Sequence, residues 1–289
     1  MSIIKEMDKY INLIDIELKK ILMMRNSFNG KIYDAMEYSL FTGGKRLRPI
    51  MALKTFELFN NDLKRIIPYA IGIEMIHTYS LIHDDLPSMD NDDFRRGKPT
   101  NHKVFGEAMA ILAGDGLLNL AFETMSNHMS QNAKSLEDYK CYVRAMNEIS
   151  KYSGCTGMIG GQVLDLMSSY DNMEEEKLIY MYKSKTAALI QASFVTGAII
   201  GGASEFEIDT LAEVGLNLGL AYQIKDDILD AHQDNIINKF TYLKYHNLET
   251  SIKKVGVLSK KAIEGLDSLK DKDTEFLKNL AHYLIDRDL

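Results

Sequence analysis

Residues 66–87 read IIPYAIGIEMIHTYSLIHDDLP, an apolar run that ends abruptly in two acidic residues and a proline. Because residues 66–82 carry so few polar side chains, we expect them to form a helix buried in a core. Asp84 and Asp85 follow at once, and Pro87 should end regular helix close to them. The stretch therefore predicts a helical core with carboxylates at its edge.

Helical periodicity continues on both sides of this stretch. Apolar residues recur at steps of three and four in 3–22, 107–129, 139–167, 177–200, 205–229, 251–266 and 275–285. Only 4 prolines interrupt the chain, and no alternating strand pattern flanked by hairpin turns is evident. We therefore predict an all-α fold in one domain over 1–289, a bundle of about ten or more helices.

Composition excludes several classes of protein. The 289 residues carry 34 Lys and Arg against 41 Asp and Glu, a formal charge of −7, which argues against nucleic acid as the main partner. Two cysteines, Cys141 and Cys155, are too few for a disulfide framework and indicate a reducing compartment. No apolar run reaches the ~20 residues of a membrane span, and the N-terminus is too charged for a signal peptide. We expect a cytoplasmic protein.

The acidic residues after the apolar run form a first aspartate motif, with carboxylates at Asp84, Asp85, Asp90, Asp92 and Asp93. A solvated acidic loop is the alternative explanation. Because the acids follow a buried helix, a Mg²⁺ site that uses one or two carboxylates and substrate phosphates fits better. An unbroken helix would point Asp84 and Asp90 about 240° apart, so a break near Pro87 must let the chain fold back.

A second aspartate motif, Asp226-Asp227-Ile228-Leu229-Asp230, follows another apolar helical stretch. Spacings of three and four residues predict that these carboxylates share one helix face, where like charges repel unless a cation lies between them. One such motif is a weak indication of metal binding. Two on one helical scaffold are a much stronger one.

Basic residues accompany both motifs. Lys45, Arg46 and Arg48 lie in the loop sequence GGKRLRP, and Arg95 and Arg96 follow the first aspartate motif. Each could be an ordinary surface charge. Arginine binds phosphate through paired hydrogen bonds and lysine binds it as a point charge, so bases beside acidic metal motifs indicate a diphosphate ligand.

Six ordered motifs together resemble those of the trans-prenyl diphosphate synthases, most closely the bacterial farnesyl diphosphate synthases. They lie at residues 43–49, 79–100, 160–165, 185–186, 222–230 and 285–288. The resemblance implies helices around a deep central apolar pocket and a homodimer. It also implies that an allylic diphosphate, held by Mg²⁺ between the two aspartate motifs, ionises and is attacked by isopentenyl diphosphate.

The resemblance assigns a role to each motif residue. Asp84 and Asp90 would hold Mg²⁺ with Asp85 beside them. Asp226 would hold a further ion, with Asp227 and Asp230 either supporting the groups that bind it or acting through water, about three ions in all. The residues for isopentenyl diphosphate would be Lys45, Arg48, His77 and Arg96. Those for the allylic diphosphate (dimethylallyl or geranyl) would be Arg95, Lys185, Thr186, Gln223 and Lys239. Without the resemblance, His77 would be taken for a core histidine.

Tyr79 and Ser80 are expected to line the pocket that limits product length. Tyr79 precedes Asp84 by five residues, roughly 7.5 Å deeper along a helix, where its ring would form a floor. The alternative is that Tyr79 is ordinary core packing. The resemblance implies that an aromatic residue at this position is typical of the farnesyl diphosphate synthases and that a small residue there permits longer products.

Three other functions compete with this interpretation. A class I terpene cyclase would not need the GGKRLRP loop or the second Asp-Asp-x-x-Asp, and a non-catalytic subunit would tend to lose its acidic motifs. The main alternative is a geranylgeranyl diphosphate synthase. One departure from the family is the short segment between Asp230 and Lys239, where relatives usually carry a longer glycine-bearing loop.

Overall fold

The computed structural model describes residues 3–23, 28–168, 173–231 and 240–285. Their α-helices are α1 (Ile3–Leu22), α2 (Gly30–Leu40), α3 (Leu47–Glu57), α4 (Ile67–Asp84), α5 (Asn101–Phe105), α6 (Glu107–Asn132), α7 (Leu136–Ser153), α8 (Met158–Ser168), α9 (Glu175–Met181), α10 (Ala188–Gly201), α11 (Glu205–Leu229), α12 (Leu248–Ser268) and α13 (Glu275–Ile285). A π-helical turn, Tyr182–Ala187, joins α9 to α10, and 3₁₀ turns lie at Leu63–Arg65 and Tyr242–Lys244. The all-α prediction is confirmed.

Two local predictions were wrong. The block 139–167 is two helices, because a tight turn at Gly154 and Gly157 separates α7 from α8. A short antiparallel hairpin, β1 (Phe94–Arg95) with β2 (Lys98–Pro99), also follows the first aspartate motif. Its two-residue strands are too short to show an alternating pattern, and its turn residues both have positive φ, as type I′ turns require.

The chain divides into two compact units. The first comprises Met1–Ile50 and Lys64–Met146, and α4 packs against α6 within it. α1 buries a stripe at helical spacing, Met7, Tyr10, Ile14, Leu18 and Leu22. α4 is buried along nearly its whole length, as its apolar sequence predicts.

The second unit comprises Met51–Leu63 and Asn147–Leu289. Its α10 is buried on all sides and packs against α11, which packs against α12. A capping box begins α11: the Ser204 hydroxyl accepts from the Glu207 N–H, and the Glu207 carboxylate accepts from the Ser204 N–H. The expectation of one domain over 1–289 stays a prediction. Among the described helices, none is long and apolar enough to cross a membrane.

Gly197 in α10 packs directly on the backbone of α3 in the second unit, where an added Cβ would lie 2.4 Å from the Ala52 carbonyl oxygen. We expect Gly197→Ala to lower the free energy of unfolding by about 1–3 kcal/mol, because a backbone oxygen cannot move aside. Gly256→Ala is the control: this exposed position in α12 has open space around it and should gain up to about 1 kcal/mol. Urea unfolding of both variants measures the difference, and equal effects would contradict the packing described.

Candidate active site

The first aspartate motif begins where α4 ends. Asp84 is the last residue of the helix, and the chain turns back so that the Asp90 N–H donates to the Asp84 carbonyl at 2.9 Å. The turn contains Pro87, as the sequence predicted. Asp84 is half-buried and Asp90 is exposed.

Asp85, the next residue, lies in a different environment. It is buried, and its carboxylate accepts hydrogen bonds from Arg95 Nε at 2.7 Å and Arg95 Nη2 at 2.5 Å. Burial raises the pKa of Asp85, while the bonds from Arg95 counter that rise. Asp85 therefore holds Arg95 at the start of the hairpin, beside the aspartate turn.

The GGKRLRP loop lies against Arg96. Gly43 and Gly44 have φ values of 111° and 135°, a region that favours glycine, and Arg96 Nη1 donates to the Gly43 carbonyl. A Cβ on Gly44 would lie 2.6 Å from Arg96 Nη1. Lys45 is exposed directly after this turn. The two glycines thus allow Arg96 to lie next to the base of the loop.

Arg46 is only 4% exposed and is bound by three other elements of the first unit. Its Nε donates to Asp15 of α1 at 3.0 Å, its Nη1 to Glu74 of α4 at 2.9 Å, and its Nη2 to the Leu40 carbonyl at 2.5 Å. These contacts occupy the guanidinium with protein partners. Arg46 therefore anchors the loop that contains Lys45 and leads into α3, where Arg48 lies.

One turn beyond Glu74, His77 meets the second arginine of the loop. Arg48 Nη1 lies 3.2 Å from His77 Nε2. Burial lowers the pKa of His77 well below its usual value, and nearby Arg48 and Arg96 lower it further. Because arginine can only donate, His77 Nε2 accepts, and the neutral ring carries its proton on Nδ1.

A cleft in the first unit lies beside Asp85 and the two hairpin arginines. Its volume is about 380 Å³ including open solvent, and its lining residues include Tyr38, Thr42, Thr78, Asp85, Arg95 and Arg96. Apolar Leu81 and Ile82 of α4 complete one wall. Both arginines that follow the aspartate motif therefore line the same solvent-open cleft.

Tyr79 is 6% exposed on α4, with its ring edge-on to His83 at 5.8 Å. Burial raises the pKa of Tyr79 to about 12. Its buried hydroxyl makes no hydrogen bond to the described residues, which costs stability. The Ser80 hydroxyl instead donates to the His77 carbonyl at 2.8 Å.

The second aspartate motif closes α11 in the second unit. Asp226 is half-buried, Asp230 is exposed, and the Asp230 N–H donates to the Asp226 carbonyl at 2.9 Å. Asp227 is only 5% exposed. Its carboxylate accepts from the Tyr182 hydroxyl, from the Tyr242 N–H at 2.8 Å and from Gln223 Nε2 at 3.2 Å. The three acids therefore lie in different environments despite their shared helix.

The π-helical turn carries two of the residues assigned to the allylic diphosphate. Lys185 forms an ion pair with Asp165 of α8, and the Thr186 hydroxyl donates to Gln223 Oε1 of α11 at 2.7 Å. π-turns inside α-helices occur often at functional sites. Lys239, the remaining residue of this group, lies outside the described residues.

A Mg²⁺ ion at this site would need protein carboxylates together with the phosphates of a bound substrate. Within the described part of the chain, no three or more His, Cys, Asp or Glu side chains are grouped so that they could hold a metal ion alone. Mg²⁺ is usually held by one or two carboxylates together with substrate phosphates. The donor set, Asp84 with Asp90 and Asp226 with Asp230, fits such shared binding.

Several residues that organise the site escaped the sequence analysis: Asp15, Glu74, Tyr182 and Tyr242. None lies in a charged cluster, and each acts through a partner distant in sequence. Among these residues, Glu74 had the clearest indication in the sequence of a buried ion pair, because it is the single acid inside the apolar run 66–82. A buried acid needs an ionic or hydrogen-bonding partner, and Arg46 is that partner.

We expect Glu74→Gln to lower the free energy of unfolding by about 1–3 kcal/mol, because Arg46 loses a buried anionic partner. Asp138→Asn is the control, since it disrupts the Arg65–Asp138 pair of similar 2.9 Å length where both side chains are partly exposed. The control should cost no more than about 1 kcal/mol. Urea unfolding compares the two. A cost for Glu74→Gln no larger than that of the control would show that the Arg46 contact does not anchor the loop.

Most of this chain is similar to known proteins. Residues 29–247 match the polyprenyl synthetase family. Farnesyl diphosphate synthase from Geobacillus stearothermophilus is 48% identical over 200 residues, covering 69% of this chain and 66% of the relative. The heterodimeric geranylgeranyl pyrophosphate synthase large subunit 1, chloroplastic, of Arabidopsis thaliana is 43% identical over 268 residues, covering 88% and 71%.

Among solved structures, an apo FPP/GFPP synthase from Zymomonas mobilis is similar, with a TM-score of 0.89 and 34% identity over 98% of both chains. The similar proteins thus carry the names of synthases with different product lengths. The matched residues 29–247 include the glycine-rich loop, both aspartate motifs and the π-helical turn. The chain belongs to the polyprenyl synthetase family.

Proposed function

We propose that this prenyltransferase condenses isopentenyl diphosphate head-to-tail with dimethylallyl and then geranyl diphosphate to give farnesyl diphosphate. The observation that carries the proposal is that Arg48 lies 3.2 Å from His77 in the first unit, while Arg96 donates to the glycine-rich loop that carries Lys45. These four residues come from the glycine-rich loop, from α3, from α4 and from the hairpin. In the proposal they form the anion site for one of the two substrates.

Lys45, Arg48 and Arg96 bind the diphosphate of isopentenyl diphosphate in this proposal. The neutral His77 ring adds a donor without adding charge, because its Nε2 accepts from Arg48. Arg46 takes no direct part, since its guanidinium is buried against Glu74 and Asp15. The isopentenyl chain then lies with its double bond free to react.

The allylic diphosphate binds to Arg95, Lys185, Thr186, Gln223 and Lys239. Asp84 and Asp90 hold Mg²⁺ beside Asp85, Asp226 holds a further ion with Asp230 acting through water, and about three ions bind in all. When bound, Mg²⁺ offsets the negative charge that develops on the departing diphosphate. The arginine and lysine side chains orient the same group through charge-assisted hydrogen bonds.

The bond changes balance without a protein nucleophile. The C–O bond of the allylic diphosphate breaks and both electrons leave with the diphosphate. The double bond of isopentenyl diphosphate supplies the electrons of the new C–C bond, and loss of a proton restores a double bond. The protein therefore has to position two diphosphates and exclude water, which the basic groups and the apolar wall of α4 support.

A geranylgeranyl diphosphate synthase is the second candidate, favoured by relatives of that name that are 40–43% identical to this chain. Tyr79 supports the shorter product. Its large ring is buried on α4 below Asp84, and its hydroxyl stays unbonded among the described residues. Homodimerisation and a cytoplasmic location stay predictions.

The test of the proposed function is incubation of the full chain with MgCl₂, isopentenyl diphosphate and dimethylallyl, geranyl or farnesyl diphosphate in turn. We expect dimethylallyl and geranyl diphosphate to be extended to farnesyl diphosphate, and a metal chelator to stop the reaction. Chromatography of the dephosphorylated products identifies the chain length. Geranylgeranyl diphosphate as the main product would support the second candidate. No growth dependent on isopentenyl diphosphate would eliminate both.

We expect Tyr79→Ala to shift the main product to geranylgeranyl diphosphate or longer, because removing the ring deepens the pocket. Tyr79→Phe is the control: it keeps the ring and removes only the unbonded hydroxyl, so product length should not change. The same chromatography measures both variants. An unchanged product distribution for Tyr79→Ala, with the variant folded, would show that Tyr79 is ordinary core packing.

A further inference from the structure

Asp227 is a buried carboxylate that accepts hydrogen bonds from three uncharged donors. The Tyr182 hydroxyl and the Tyr242 N–H both donate to Oδ2, and Gln223 Nε2 donates to Oδ1. An ionised carboxylate offers roughly four acceptor positions, so these bonds use most of them. With 5% of its surface exposed, Asp227 has little room for a metal ion as well.

These bonds join three separate elements of the second unit. Tyr182 opens the π-helical turn that carries Lys185 and Thr186, Asp227 lies in the last turn of α11, and Tyr242 begins the 3₁₀ turn. The Tyr242 N–H also lies 3.1 Å from the Tyr182 hydroxyl oxygen, so the three groups meet at one point. We call this set, together with Gln223, the Asp227 cluster.

The Asp227 cluster determines which way the Gln223 amide faces. A carboxylate only accepts, so the nitrogen of the Gln223 amide must face Asp227, and its oxygen must face the other way. That oxygen accepts from the Thr186 hydroxyl at 2.7 Å. Asp227 therefore orients Gln223 directly and Thr186 through it, and these are two of the residues assigned to the allylic diphosphate.

We propose that Asp227 is a positioning residue for the allylic diphosphate, with Tyr182 as its partner, and that it does not ligate Mg²⁺. The inference rests on the proposed function, because it assigns Gln223 and Thr186 to that substrate. The competing role for Asp227 is a metal ligand like its neighbour Asp226. The two roles differ in which variants change substrate affinity and which change the Mg²⁺ requirement.

Tyr182→Phe separates these roles because it removes one hydroxyl and no possible metal ligand. We expect its KM for geranyl diphosphate to rise about fivefold, while its KM for isopentenyl diphosphate stays within about twofold. Tyr245→Phe is the matched control: it removes a hydroxyl bound to the Met173 carbonyl in the same unit. Thermal unfolding of both variants checks that they are folded, and the control should leave both KM values unchanged.

Asp227→Asn gives the second measurement. If Asp227 positions Gln223, the variant should raise the KM for geranyl diphosphate as Tyr182→Phe does. The Mg²⁺ concentration that gives the half-maximal rate should then be unchanged. If Asp227 ligates metal, that concentration should rise about tenfold or more while Tyr182→Phe behaves like the control. The second result would overturn the inference, and so would a folded Tyr182→Phe variant with wild-type KM values.

A calorimetric titration with inorganic diphosphate at saturating MgCl₂ measures how the Asp227 cluster affects diphosphate affinity without any catalytic turnover. We expect Tyr182→Phe to bind this probe about fivefold more weakly than wild type and Tyr245→Phe to bind it equally well. Equal binding by all three proteins would overturn the inference even if the wild type is an active synthase. A wild type that binds the probe but extends no prenyl diphosphate would instead eliminate the proposed function.

Discussion

Compensation of buried charge is the constraint on which this site depends. Arg46, Glu74, Asp85 and Asp227 are each no more than 5% exposed. A buried charge is costly unless it is paired or hydrogen-bonded, so each of these side chains holds its partners tightly. The partners lie on different elements: Arg46 joins its loop to α1 and α4, Asp85 holds the hairpin arginine Arg95, and Asp227 joins α11 to the π-helical turn.

Neighbouring residues in each motif therefore differ in burial. Lys45 is exposed while Arg46 is buried, Asp84 is less buried than Asp85, and Asp226 is less buried than Asp227. Successive helical residues point about 100° apart, so one member of an adjacent pair can face the core while the other faces a ligand. A motif of repeated charges need not contain equivalent ligands.

Much of the site followed from local sequence. The end of α4 near Pro87 and the fold-back of Asp90 were predicted because proline restricts the residue before it and lacks an N–H. The π-helical turn was not predictable from the apolar pattern of 177–200, since apolar periodicity does not distinguish it from the α-helix on either side. The hairpin at Phe94–Pro99 was missed because its two-residue strands leave no periodic signal. The role of Arg46 was missed because a basic residue in a glycine-rich loop resembles a phosphate ligand.

The sequence by itself determined the helical class, the positions of both aspartate motifs and the family, because periodicity, proline and short motifs are local properties of the chain. Only the tertiary structure decided which charges became anchors. Arg46 and Glu74 lie 28 residues apart, and Tyr182 and Asp227 lie 45 apart. Burial of a side chain depends on what packs over it, and in this protein the covering groups come from helices that no local pattern places together.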